Sequence, residues 1–271
     1  MKKRVIFVLL FALLGAITQP ALAASSSQSA PPASQTQDPS RTQQFIHLAS
    51  GWMQGSTSTA DEQKLAQPDP DLVVYLTFDD GPDPKWTPQV LELLQQYHAI
   101  ATFFEIGYNV KQHPEITRQI AEDGHTIGLH GYYHLDFAQL DYSELYFEVE
   151  DNQAILEELL GTDPQLVSAL TPCLRPPYRS VNQMVKNFAE ELNYELSFWQ
   201  IDTEDWSDIS SSDIFSTVAI AVEPYAIILM HDGGGNRLET IRALELVLHE
   251  LTLRGYSFAP YCTASGQAFT P

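Results

Sequence analysis

The sequence predicts an α/β fold built on a parallel sheet. Three observations carry that reading. From residue 72 onward short β-rich runs alternate with helical patterns, the helices end on glycine, and the polar residues able to do chemistry fall just after the strand runs. Strands are expected at 72–77, 101–106, 126–129, 173–175, 195–201, 226–230 and 256–259, where β-branched and aromatic residues concentrate. Helices are expected at 87–97, 114–123, 143–160, 181–192, 212–222 and 238–253, with Gly124, Gly161 and Gly255 just beyond three of them. Such an alternation fits either an open doubly wound sheet or a closed barrel, and element order alone leaves both open.

The residues ahead of this alternation read differently. Lys2, Lys3 and Arg4 precede an apolar run that ends in Ala21-Leu22-Ala23, so residues 1–23 read as a secretory signal peptide. The run is shorter than the roughly 20 residues a bilayer span needs, and no stable membrane anchor is expected after cleavage. Residues 24–43 are Ser, Gln, Pro and Thr with almost no large apolar side chain, a composition expected of a disordered linker. Residues 44–71 form an N-terminal extension of no legible function, 72–262 the functional domain, and 263–271 a tail. The expected location is secreted, periplasmic or the cell envelope. There Cys173 and Cys262 are either a disulfide or two buried thiols.

The 271-residue chain carries 35 acidic and 14 basic side chains, a formal charge of -21. Nucleic acid is excluded as a partner, because phosphate recognition rests on a basic surface. Loss of Lys2, Lys3 and Arg4 with the signal makes the mature chain more acidic still.

The candidate functional residues are Asp79 and Asp80, His130 and His134, the run 175–179, the run 202–206, and His231 with Asp232. Each group follows a predicted strand, and the carboxyl ends of parallel strands are where active sites assemble. On a helical turn the spacing of His130 and His134 would point both imidazoles the same way. Alone that pair describes a surface feature equally well. An Asp from the Asp79-Asp80 tandem completes a set of two imidazoles and one carboxylate, which suits a divalent transition metal and frees the other Asp to act as a base. In a continuing strand the two carboxylates would point to opposite faces, so a bend is needed, and Gly81 and Pro82 follow directly. Non-haem iron oxygenase chemistry would use the same donors but leaves the second Asp, Arg175 and His231 without a role.

The runs Thr77-Phe78-Asp79-Asp80-Gly81-Pro82, His130 with His134, Arg175-Pro176-Pro177-Tyr178, Asp202-Thr203-Glu204-Asp205-Trp206 and Leu229-Met230-His231 resemble, in order, the five signature motifs of the polysaccharide deacetylases of carbohydrate esterase family 4, the NodB homology domain. The resemblance implies a distorted, incomplete (β/α) barrel of about seven parallel strands. It implies metal-dependent hydrolysis of N-acetyl or O-acetyl groups on an acetylated polysaccharide or oligosaccharide, by a monomer. Asp80, His130 and His134 would hold the metal, most often Zn2+, with Co2+ or another divalent ion as alternatives. Asp79 would be the base acting on water activated by the metal, oriented by Arg175; His231 would be the acid, supported by Asp205. The backbone N–H of Tyr178 would join the metal as an oxyanion partner, and Trp206 and Leu229 would wall the acetyl methyl.

Two positions depart from the family pattern. Gly131 stands where Ser or Thr is usual, with Leu129 where Asn is common, so weaker support behind the ligands and weaker metal binding are expected. Arg179 stands where Gly is usual and is expected to narrow the cleft or meet an acidic glycan. These departures motivate the alternative of a non-catalytic glycan-binding protein on the same scaffold. His47, His98, His113, His125 and His249 lack metal-spaced partners, and the run 232–235 reads as a flexible loop beside the acid. Peptidoglycan, chitin oligomers, poly-N-acetylglucosamine and acetylxylan are not distinguished.

Overall fold

A computed structural model describes residues 71–263. The signal peptide, the linker, nearly all of the N-terminal extension and the tail from residue 264 lie outside the described residues. Among the described residues no helix is long and apolar enough to cross a membrane.

Strand β1 (Val73–Asp79) is buried along nearly its whole length, as expected of a central parallel strand. Its side chains divide by parity. Val74, Leu76 and Phe78 face the helical layer, where Phe78 stacks on Phe103 at 5.2 Å, while Tyr75 joins a separate interior cluster with Phe104, Cys173, Tyr261 and Cys262. The period of two then carries Thr77 and Asp79 to the interior, with Asp79 at the strand's carboxyl end. Each large side chain fully buried in these clusters contributes about 1.5–3 kcal/mol.

Around β1 lie β2 (Ala101–Glu105), β3 (Thr126–Leu129), β4 (Leu170–Leu174) and β5 (Glu195–Leu196) on one side, and β7 (Ile227–His231) and β6 (Ile201–Asp202) on the other. The order is β5-β4-β3-β2-β1-β7-β6, every pairing is parallel, and β8 (Ser257–Phe258) adds to the start of β1 at Val73 and Val74. The connecting helices are α1 (Thr87–Gln96), α2 (Gly107–Gln112), α3 (Pro114–Glu122), α4 (Tyr142–Leu160), α5 (Pro164–Val167), α6 (Gln183–Glu191), α7 (Ser211–Ala221) and α8 (Leu238–Leu253). The architecture is a curled half-barrel, an incomplete (β/α) barrel, which decides the choice between open sheet and barrel that element order left open.

The expected strand 195–201 is instead two short strands at opposite ends of the sheet. Its run of β-favouring residues is continuous but its partners are not. Ser197 N–H donates to Leu174 O at 2.9 Å on β4, whereas Gln200 N–H donates to Ile227 O at 3.1 Å on β7 and its side-chain Oε1 accepts from Ile227 N–H at 2.7 Å. Phe198 and Trp199 therefore cross the seam where the barrel lacks a hydrogen-bonded ladder. Helices α2 and α5 were not expected; at six and four residues they are too short to show a periodic pattern.

Cys173 and Cys262 form a disulfide, which resolves the alternative of two buried thiols and ties β4 to the chain beyond β8. Helix α4 starts on a capping box in which Asp141 and Glu144 each accept the other's backbone N–H, and it ends at Gly161 with φ 64°. That helix lies behind the His130–His134 loop and supplies side chains to it.

Candidate active site

A cavity of about 360 Å³ at the carboxyl ends of the strands is lined by Asp79, Asp80, His130, His134, Pro176, Tyr178, Trp199, Asp202, Trp206, Leu229 and His231. Strand register places two of these side by side, because Asp79 on β1 is the direct partner of His231 on β7. Arg175 is fully buried; its Nη1 donates to Asp79 Oδ1 at 2.7 Å and to Thr77 Oγ1 at 2.9 Å, and its guanidinium lies 3.9 Å from the Phe104 ring centroid. The other Asp79 oxygen, Oδ2, sits 3.6 Å from His130 Nε2. Asp79 is thus a buried carboxylate with one oxygen fixed by a guanidinium and the other turned to the cavity.

The bend between the two aspartates falls on Asp80 itself, with φ 74°, one residue before the Gly81-Pro82 turn expected to make it. This left-handed step swings Asp80 Oδ1 to 3.4 Å from His130 Nε2 and 3.2 Å from His134 Nε2. Burial raises the Asp80 pKa, but the imidazoles of His130 and His134 beside it, with His231 beyond them, outweigh it and hold the carboxyl well below the usual range. The loop 232–235 is packed against Asp80 rather than free: a Cβ on Gly233 would collide with the Asp80 carbonyl, and one on Gly234 with its carboxylate.

His130 and His134 stand on an irregular loop, not on the helical turn their spacing suggested. They converge because Gly131 has φ 78° and His134 φ 61°, which folds the chain back within five residues and leaves the imidazole centroids 5.0 Å apart. His130 Nδ1 lies 2.6 Å from Arg175 O, which orients Nε2 toward the cavity, and His134 Nδ1 lies 3.1 Å from the Tyr178 hydroxyl. One ligand atom from each of Asp80, His130 and His134 falls within 4.8 Å of the others. Asp80 Oδ1 is buried without a hydrogen-bond donor, as a metal ligand would be. One hard carboxylate and two imidazoles fit a divalent transition ion with positions left open.

On the other side of the cavity, Asp205 Oδ1 lies 2.7 Å from His231 Nδ1, and its Oδ2 accepts from the His231 backbone N–H and from Thr240 Oγ1, both at 2.9 Å. Burial lowers the His231 pKa, but the Asp205 carboxylate, with Asp79 and Asp80 behind it, overrides this and lifts it to about 9. Arg237 Nη1 donates to Asp205 O at 3.0 Å. Arg237 and Thr240, at the start of α8, escaped the sequence reading. So did Glu148 and Asn152, although both lie at helical spacing among the buried Leu145, Val149 and Leu156 of α4.

The remaining residues fall as follows. Trp206 and Leu229 both line the cavity, Trp206 more than half exposed and Leu229 buried. Tyr178 stands at the rim with φ 58°. Arg179 does not reach across the cleft: its guanidinium lies 5.4 Å from the Phe198 ring centroid and 5.3 Å from that of Trp199, so it meets the cavity only through the Trp199 wall. Its φ of 57° explains why glycine suits this position. His125 is a core residue whose Nδ1 accepts Ala101 N–H at 3.3 Å, and burial depresses its pKa to about 4.

A half-barrel with paired aspartates, two histidines and a carboxylate-supported histidine at its mouth brings together the groups of a hydrolytic site. Comparison with known proteins makes the assignment definite. A family model for polysaccharide deacetylase matches residues 66–197. A peptidoglycan-N-acetylglucosamine deacetylase of Bacillus cereus is 37% identical over 193 residues, covering 70% of this chain and 87% of the relative. A chitooligosaccharide deacetylase of Azorhizobium caulinodans is 31% identical over 198 residues, 69% of this chain and 91% of the relative. Among solved structures, the Bc1960 peptidoglycan N-acetylglucosamine deacetylase superposes with a TM-score of 0.64 at 33% identity, covering 69% of this chain and 85% of that one. The chain belongs to the polysaccharide deacetylase family.

Proposed function

We propose that this chain is an exported, metal-dependent deacetylase that hydrolyses the N-acetyl group of N-acetylglucosamine units in an envelope glycan. The observation that carries the reading is the convergence of Asp79, Asp80, His130, His134 and His231 on one cavity, with Arg175 and Asp205 each fixing one partner. The relatives named for peptidoglycan and chitooligosaccharides share the acetamido sugar as substrate. The signal-like segment 1–23 supports export.

Asp80, His130 and His134 would hold the divalent ion, which when bound lowers the pKa of a water and polarises the acetyl carbonyl. Asp79, with Oδ1 held by Arg175, takes a proton from the attacking water through Oδ2. His231 is kept protonated at neutral pH by Asp205 and gives its proton to the departing amine as the C–N bond breaks, so acetate and a free amino sugar result. Trp206 and Leu229, which line the cavity, would enclose the methyl, and the Tyr178 backbone N–H would meet the developing oxyanion. Zn2+ is the expected ion.

The test is acetate release by the purified mature protein, with Zn2+ supplied, from peptidoglycan, chitin oligomers, poly-N-acetylglucosamine and acetylxylan. Release from an acetamido glycan that stops on chelation supports the proposal. Saturable glycan binding with no release from any of the four, unchanged by Asp79→Asn, would instead establish the non-catalytic reading.

A further inference from the structure

The peptide groups from His130 to Tyr133, in the loop that carries His130 and His134, are held from β2, α2 and α4. His130 N–H donates to Glu105 O at 3.1 Å; Gly131 O accepts from Gly107 N–H at 3.0 Å and from Asn152 Nδ2 at 2.9 Å; Tyr132 O accepts from Tyr108 N–H at 2.9 Å. The N–H groups of Tyr132 and Tyr133 both donate to the Glu148 carboxylate, at 3.1 Å and at 3.0 and 3.2 Å.

Glu148 is only 3% exposed, and among the described residues its hydrogen bonds go to these two peptide groups. A carboxylate is taken out of water at considerable cost unless charged or N–H partners receive it, so its position in the core is tied to the loop. Glu148 and Asn152 are four residues apart on α4 and share a face. Asn152 Nδ2 also reaches Glu105 O at 2.9 Å, linking the loop to the end of β2. The room for this arrangement comes from Gly131, where a Cβ would stand 2.9 Å from Glu148 Oε2 and 3.1 Å from the Phe137 ring.

We infer that Glu148 and Asn152 are positioning residues for the metal ligands. Helix α4 supplies, by a carboxylate and an amide, the support that a hydroxyl at position 131 was expected to give. The loss of that hydroxyl is therefore compensated, and the left-handed backbone at His134 is held by the hydrogen bonds immediately before it. The inference rests on the reading of Asp80, His130 and His134 as metal ligands.

The experiment measures Zn2+ affinity by chelator competition for the whole protein and for Glu148→Gln, together with the melting temperature of each metal-free form. Glutamine keeps the size but turns an NH2 toward the two peptide N–H groups. The expected result is Zn2+ binding weakened about 10- to 100-fold, with altered Co2+ absorption bands in the Co2+-substituted form. Glu150→Gln on the same helix, which disturbs only the bond to the Tyr194 hydroxyl, should bind as the unaltered protein does. If Glu148→Gln folds and binds Zn2+ with unchanged affinity, the inference is overturned even if its melting temperature falls. If the unaltered protein binds no divalent metal, the reading of the ligands fails and the inference falls with it. Should Glu148→Gln not fold, Asn152→Ala decides by the same measurement, since Gly131 O and Glu105 O each keep a second donor there.

Discussion

The two halves of the active site are built in different ways. Asp79 and His231 lie on neighbouring strands in direct register, so the spacing of the proposed base and acid is a property of the β1–β7 ladder. Asp80 and His134 lie off the ladder in left-handed backbone, and the proposed metal-ligand set is a property of loop conformation. Left-handed residues other than glycine each cost on the order of 1–3 kcal/mol and persist only where neighbours over-determine them. The difference teaches where each half is vulnerable: the acid–base pair to changes in the sheet, the ligand set to changes in what grips the loops.

The largest expected effect isolates the ladder half. Asp79→Asn should lower kcat for acetate release by about 10²- to 10⁴-fold, the range associated with loss of a general base. Its Zn2+ affinity, measured by chelator competition, should stay within a few-fold; a matching loss of metal would mean the two halves are not separable.

Next comes a break in the scaffold outside both halves. The Cys173–Cys262 disulfide closes a loop with a sequence separation of 89, and removing it by replacing both cysteines with serine should cost about 4–5 kcal/mol of stability. Calorimetry should show a melting temperature lower by about 10 °C. If the β1–β7 ladder alone sets the acid–base pair, kcat at low temperature is preserved.

A smaller change tunes the acid. In Asp205→Asn the carboxylate that raises the His231 pKa is gone, so the value should fall from about 9 toward the ordinary 6.5. The sign follows from the charged form being favoured in the fold: the raised pKa contributes stability that is fully present below about 6.5 and is lost as pH rises through about 9. In the variant both the NMR titration of His231 in the metal-free protein and the alkaline limb of kcat should move to lower pH. An unmoved titration would show that Asp205 does not control the acid.

The smallest effect belongs to the loops. Arg179→Gly relieves a left-handed φ while removing a guanidinium stacked on Phe198 and Trp199, so the two changes largely offset. Stability within about 1 kcal/mol and kcat within about twofold are expected. A large change in KM on anionic glycans would show that the side chain does reach substrate.

The ladder half was readable in the sequence and the loop half only in part. Asp79, Arg175 and His231 each stand at or just after a β-rich run, and the motif order supplied the family. Position 130–134 was misread as a helical turn because a spacing of four residues signals a helix only when the backbone is helical, and Gly131 allows another path. The segment 195–201 was misread because β propensity reports a residue's fit to a pleated surface and says nothing about which edge it joins. Glu148 and Asn152 were missed although polar residues on the apolar side of α4 are an available signal, since burying them requires partners.

The seam crossed by Phe198 and Trp199 has a consequence for how this pocket can diversify. Asp79, Leu229 and His231 in the cavity wall are fixed by the β1–β7 ladder, where a change in length would shift the whole register. Between Ser197 and Gln200 the circumference is spanned without a ladder, anchored at each end to a different edge of the sheet. A side chain exchanged in that span would resize the wall beside Trp199 while the β1–β7 register of Asp79 and His231 stays as it is, but a change of length there would also move Phe198 O, which accepts from Arg175 Nη2 at 3.5 Å, and so reach the guanidinium that holds Asp79.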